Sequence, residues 1–148
     1  MKKLYSALIL ILCVCLCASL CLAENEELPV VECEGISGSF PWLTYELTVK
    51  NVRLNEPEKT FEVCFLAAED APIPTTEMTV DNLKLITLKD AAGETVPPVS
   101  FRYWGVTFDM ASGKFGDAET QEGFILVYNL PAGGTDGLTL ALEGAPET

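Results

Sequence analysis

Between Leu43 and Lys50 apolar and polar residues take turns: Leu43, Tyr45, Leu47 and Val49 alternate with Thr44, Glu46, Thr48 and Lys50. Successive side chains of a strand point to opposite faces, so this pattern predicts a half-buried antiparallel strand. Asn55-Glu56-Pro57-Glu58 interrupts the alternation and Thr60 to Ala67 resumes it, which predicts a hairpin. Ala71-Pro72-Ile73-Pro74 breaks the chain again. Leu83 to Lys89 reads as a further strand, closed by the turn Asp90-Ala91-Ala92-Gly93-Glu94, and Val99 to Tyr103 alternates once more. Phe124 to Leu130 is apolar on both faces, as a central strand requires. Pro131 to Gly137 turns the chain, and Leu138, Leu140 and Leu142 line the last strand. No stretch combines a helical period with capping residues.

Seven or eight short strands separated by turns predict an all-β fold. The economical packing is two antiparallel sheets face to face, an immunoglobulin-like sandwich over residues 24–143. A small barrel or jelly roll is the second solution. There is no internal repeat, low-complexity linker or second domain, and residues 144–148 read as a frayed tail.

The N-terminus has a different character. Lys2 and Lys3 precede a run from Leu4 to Leu22 without charge, Gly or Pro; Ala23 closes it and Glu24-Asn25-Glu26-Glu27 follows. A basic start, an apolar core and a small-residue exit are the marks of a signal peptide cleaved after Ala23. The run would make a helix of roughly 28 Å, so an uncleaved anchor helix is the alternative. Four of the six cysteines, Cys13, Cys15, Cys17 and Cys21, fall inside this segment, where their spacing suits neither a zinc site nor a redox motif. A lipoprotein signal needs a small residue before the modified cysteine. Leu20 precedes Cys21, Leu16 precedes Cys17 and Val14 precedes Cys15, so that pattern fails. The bulk of the chain is thus expected outside the cytoplasm: secreted, periplasmic or at the cell surface, with membrane contact only through an uncleaved leader.

Removing the leader changes the charge. The whole chain carries a net charge of −13; without Lys2 and Lys3, seven basic residues face 22 acidic ones, a net charge of about −15. Such a surface repels nucleic acid and anionic membranes, so no nucleic acid partner is expected. It suits extracellular solubility, and more specifically a cation or a basic partner.

Only Cys33 and Cys64 remain after cleavage. In an oxidising compartment two cysteines predict one disulfide. The strand pattern puts Cys64 on the face of Glu62, opposite Phe61, Val63 and Phe65, so the expected bridge runs to an adjacent N-terminal strand carrying Val31 and Cys33 on one face.

The succession Leu47-Thr48-Val49-Lys50-Asn51, Leu88-Lys89-Asp90-Ala91-Ala92-Gly93-Glu94, and Phe124 to Leu130 with Pro131 resembles small bacterial envelope proteins, in which a leader precedes one immunoglobulin-like domain. The resemblance spans most of the mature chain and implies no catalytic residues. Chagasin-like inhibitors of cysteine proteases are also small secreted domains of this type. Their Pro-Thr-Thr-Gly loop is matched only by Pro74-Thr75-Thr76, which Glu77 follows here, and the loop order is reversed. Protease inhibition is not expected.

The chain has no histidine, which excludes Ser-His-Asp and Cys-His catalysis and His-ligated zinc. Acid pairs could serve a hydrolase if two carboxylates faced each other across a cleft. The candidates Glu32/Glu34, Glu56/Glu58 and Glu69/Asp70 read as solvated charges beside turns. Asp109 to Glu122 is long for a connection and reads as a solvated loop. Within it Asp109, Asp117, Glu119 and Glu122 are candidate oxygen ligands for Ca²⁺, although Lys114 opposes a cation and the spacing is not that of an EF-hand. Trp104 beside Arg102 is a candidate for stacking on a sugar or peptide. Together these features predict an exported, non-catalytic β-sandwich that binds or scaffolds at the envelope, with an unknown protein or glycan partner. A calcium- or sugar-binding adhesion domain and an acid-pair hydrolase are the alternatives, and no cofactor beyond Ca²⁺ is implied.

Overall fold

The computed structural model describes residues 27–68, 73–118 and 122–142. The leader, residues 1–23, and the tail, residues 144–148, lie outside them. The described chain is built from antiparallel strands: β1 (Val30–Val31), β2 (Ser39–Trp42), β3 (Tyr45–Asn55), β4 (Thr60–Ala67), β5 (Ile86–Lys89), β6 (Thr95–Val96), β7 (Pro98–Tyr103), β8 (Val106–Asp109), β9 (Lys114–Asp117), β10 (Phe124–Asn129) and β11 (Thr139–Leu142). A single four-residue helix, α1 (Val80–Leu83), precedes β5. The strands form two unequal sheets. Eight belong to the large one, in the order β1-β3-β4-β10-β7-β8-β9 with β2 also on β3, and three to the small one, β11-β5-β6. Eleven strands thus replace the expected seven or eight, chiefly because short two- to four-residue strands carry too little alternation to read.

The hairpin of β3 and β4 forms as the alternation predicts, but β3 contains a bulge. Val49 lies opposite Phe65 and Asn51 opposite Cys64, so Lys50 has no partner. The extra residue reverses the parity of the strand. Leu47 and Val49 face the core before it, and Val52 and Leu54 after it. The two sheets do not close into the expected sandwich, but one hydrophobic cluster draws on both of them. Phe61, Val63 and Phe65 of β4, and Phe124, Leu126 and Tyr128 of β10, pack against Leu83, Ile86, Leu88 and Leu138. Each fully buried side chain of this kind contributes about 1.5–3 kcal/mol. Phe61 stacks on Tyr128, and Phe65 on Phe124, both at 5.3 Å between ring centres. Two polar tips tie the large sheet to its neighbours: the Tyr128 hydroxyl donates to the Ile86 carbonyl of β5 at 2.9 Å, and Trp42 Nε1 donates to the Asn82 carbonyl of α1 at 3.1 Å.

Three expectations are corrected here. Residues 83–89 are not one strand: the chain first makes α1, whose Thr79 side chain accepts from the Asn82 amide at 3.2 Å as an N-cap, and β5 begins at Ile86. The stretch from Asp109 is not a long loop: its first half is the hairpin of β8 and β9, closed by Asp109 Oδ1 accepting from the Ala111 and Ser112 amides at 2.9 and 2.7 Å. Those amides hold the Asp109 carboxyl below its ordinary range.

The third correction concerns the cysteines, both of which are free. β1 pairs with β3 on the side away from β4, so two strand spacings, about 10 Å, separate the segment of Cys33 from Cys64. They also lie on opposite faces. Cys33 packs against the main hydrophobic cluster, whereas Cys64 joins Ile125, Val127 and Val99 on the other side of the large sheet. A disulfide requires Cα atoms closer than about 7 Å with converging Cβ bonds, and neither condition holds. The orientation of Cys64 beside Glu62 is as its strand parity predicts; the bridge is not.

Candidate functional site

The turn joining β7 to β8 has only two residues, since Tyr103 pairs with Val106. Trp104 has φ 52° and Gly105 φ 76°, the sign pattern of a type I′ turn. That geometry matches the twist of the two strands but suits Asn-Gly best; a bulky residue there crowds its Cβ against the following carbonyl. Trp104 nevertheless occupies the position, and 73% of its surface is exposed. Its ring lies 6.0 Å from that of Tyr103, whose hydroxyl donates to the Ile73 carbonyl at 3.3 Å and fixes the supporting ring.

Trp104 lines a hollow of about 310 Å³ at the end of the large sheet, where β4 leaves it and β10 enters. Leu66, Ile73 and Phe124 give it an apolar lining, and Glu122 also lines it. Glu122 is held from the far side by Lys50, the bulge residue of β3, at 2.8 Å; both side chains are well exposed. Gly123, at φ 74°, is required beside it. A Cβ there would stand 2.0 Å from the Phe65 carbonyl oxygen.

A second exposed apolar feature adjoins the turn. By register Phe101, Phe108 and Phe115 share one face of β7, β8 and β9, the face that becomes core further into the sheet. Phe101 is buried, Phe108 half-buried and Phe115 74% exposed, with Phe108 and Phe115 4.7 Å apart between ring centres. Val106, opposite Asp117, is exposed on the same face. All four residues of β9 are exposed.

The predicted site residues are distributed as follows. Arg102 does not accompany Trp104: it points to the other face of the large sheet, where its Nη2 donates to the buried Glu62 carboxylate at 2.6 Å. Tyr103 and Glu122 are the neighbours of Trp104 instead. Of the calcium candidates, Asp109 and Asp117 sit at opposite ends of the β8–β9 ribbon, paired with Lys114 and Val106. Glu122 is bound to Lys50 across the sheet, and Glu119 lies outside the described residues. Among the described residues no group of three or more His, Cys, Asp or Glu side chains is placed to hold a metal ion. Glu32, Glu34, Glu56 and Glu58 are all exposed, and Glu69 and Asp70 lie outside the described residues.

The hollow was missed in the sequence because its members come from separate stretches of the chain, Leu66 and Ile73, Tyr103 and Trp104, and Glu122 to Phe124. The one local signal was the dipeptide Trp104-Gly105 between two alternating runs, a hairpin turn with an unusual first residue. Comparison of the chain with protein-family models, with curated proteins and with solved structures finds no match.

Proposed function

We propose that the chain is an exported, non-catalytic binding domain that engages a protein partner at the cell envelope through the end of the large sheet carrying Trp104, Val106 and Phe115. The observation that carries this reading is the exposure of these large apolar side chains on one rigid antiparallel ribbon. Apolar residues scattered singly over a surface need no explanation, but aromatic residues gathered on an uncovered ribbon resemble the anchors of protein interfaces. The basic, apolar and small-residue succession of residues 1–23 supports export. A protein that crosses the membrane with this leader has Glu24 as its first residue, read by N-terminal sequencing of the exported form.

Site-specific photocrosslinking in the exporting cell tests the binding. A photoreactive aromatic residue at position 104 or 115 gives a discrete protein adduct, whereas the same residue at Glu58, in the β3–β4 turn, gives none. Excess purified domain competes the adduct away, and domain carrying Trp104→Ala and Phe115→Ser does not. Equal adducts at all three positions, an adduct to glycan alone, or none at 104 and 115 would overturn the reading.

A further inference from the structure

We infer that the hollow beneath Trp104 receives the guanidinium of an arginine side chain presented by the partner. This rests on the proposed role of that end of the sheet and names the chemistry it recognises. An indole face attracts a cation through its quadrupole, and a planar guanidinium both stacks on the ring and donates to a carboxylate. The hollow brings the two residues together: exposed Trp104, buttressed by Tyr103, and Glu122 on the same lining. Leu66, Ile73 and Phe124 supply an apolar bed for the methylenes of the stem.

Two further observations agree with a cationic occupant. The mature chain carries about 15 more acidic than basic groups, which attracts a basic partner and steers its approach. Trp104 is also kept in a left-handed conformation that local sterics disfavour, while a smaller residue would complete the turn with less crowding. Glu122 is already neutralised in part by Lys50 at 2.8 Å, and that contact gives the inference a distinctive sign. A competing cation weakens the site, so its removal strengthens binding.

The chain's two tryptophans supply the readout. Trp42 is 2% exposed and bonded to Asn82, whereas Trp104 is open, so their indole N–H resonances report the core and the hollow separately. The mature domain is titrated with N-acetyl-arginine amide and, in parallel, with its neutral isostere N-acetyl-citrulline amide. The arginine probe shifts the Trp104 resonance saturably, with a dissociation constant on the order of millimolar, and leaves Trp42 in place. Citrulline binds at least about tenfold more weakly, Glu122→Gln weakens the arginine probe about fivefold, and Lys50→Met tightens it about twofold. No saturable shift, an equal response to citrulline, or weaker binding in Lys50→Met would overturn the inference. The crosslinking experiment is independent of this one: an adduct at position 104 without guanidinium binding leaves the interaction surface standing and removes its arginine specificity.

Discussion

Arg102 of β7 reaches diagonally across β10 and holds the Glu62 carboxylate of β4 at 2.6 Å. In register Arg102 lies beside Ile125 and Glu62 beside Val127, so the ion pair spans the two apolar residues that β10 presents to this face. The Glu62 side chain is 3% exposed and that of Arg102 36%. A carboxylate this buried, deprived of its cation, keeps its desolvation cost without compensation, although water reaches the arginine side and takes a share. Arg102→Met is therefore expected to destabilise the domain by about 2 kcal/mol, and adding Glu62→Met to recover at least about half of that. Urea unfolding of the two variants measures both values; strictly additive losses would show that the side chains act independently.

The cysteines lead to a second expectation. Burial pushes both thiols up, and no bridge joins them. The domain of residues 24–148, purified and assayed without reductant, contains two titratable thiols. Half-exposed Cys33 is alkylated first, and buried Cys64 at least about tenfold more slowly because its reaction waits for local opening. A count of zero thiols contradicts the strand order and face assignment given above.

Tyr128 makes the domain sensitive to alkali. Its phenol is fully buried, and desolvation holds its ionisation well above the usual range, whereas an unfolded tyrosine ionises at about 10. The folded state keeps the proton after the unfolded chain has lost it. The stability contributed is thus complete below about pH 10 and falls as pH rises further, with a slope approaching 1.4 kcal/mol per pH unit at about one tyrosine's worth of protons. The raised thiols of Cys33 and Cys64 act in the same direction from about pH 8.5. Tyr128→Phe costs about 1–2 kcal/mol at neutral pH, since the Ile86 carbonyl loses its donor, but flattens the alkaline limb. Denaturant melts between pH 8 and about 11 compare the two slopes.

Much of this architecture is legible in the chain because the physics that sets it is local. Alternation in Tyr45–Val49 and Thr60–Ala67 marks a hairpin, and the two-sided apolar run of β10 marks a central strand. The facing of Cys64 follows from strand parity. What escapes is whatever a distant neighbour decides. The bulge at Lys50 changes the parity of β3 where nothing in the local sequence calls for it, and the position of β3 between β1 and β4 separates the cysteines. Arg102 and Trp104 share a parity in sequence, yet the positive φ of Trp104 takes it out of the strand and away from Arg102. Glu122 joins Trp104 only because β10 pairs with β7.

The central claim is that Trp104 occupies the β7–β8 turn for what it binds and at a cost to the fold. Asparagine accepts the left-handed conformation that tryptophan resists, and Asn-Gly is the favoured pair for this turn. Trp104→Asn leaves Gly105 and both strand registers in place and removes about 1 kcal/mol of local strain. The most direct measurement is the thermal midpoint of the Trp104→Asn domain, residues 24–148, against the parent domain. A rise of about 3–5 °C is predicted for a domain of this size. A fall of similar size would show that Trp104 holds the fold together, and would contradict the account.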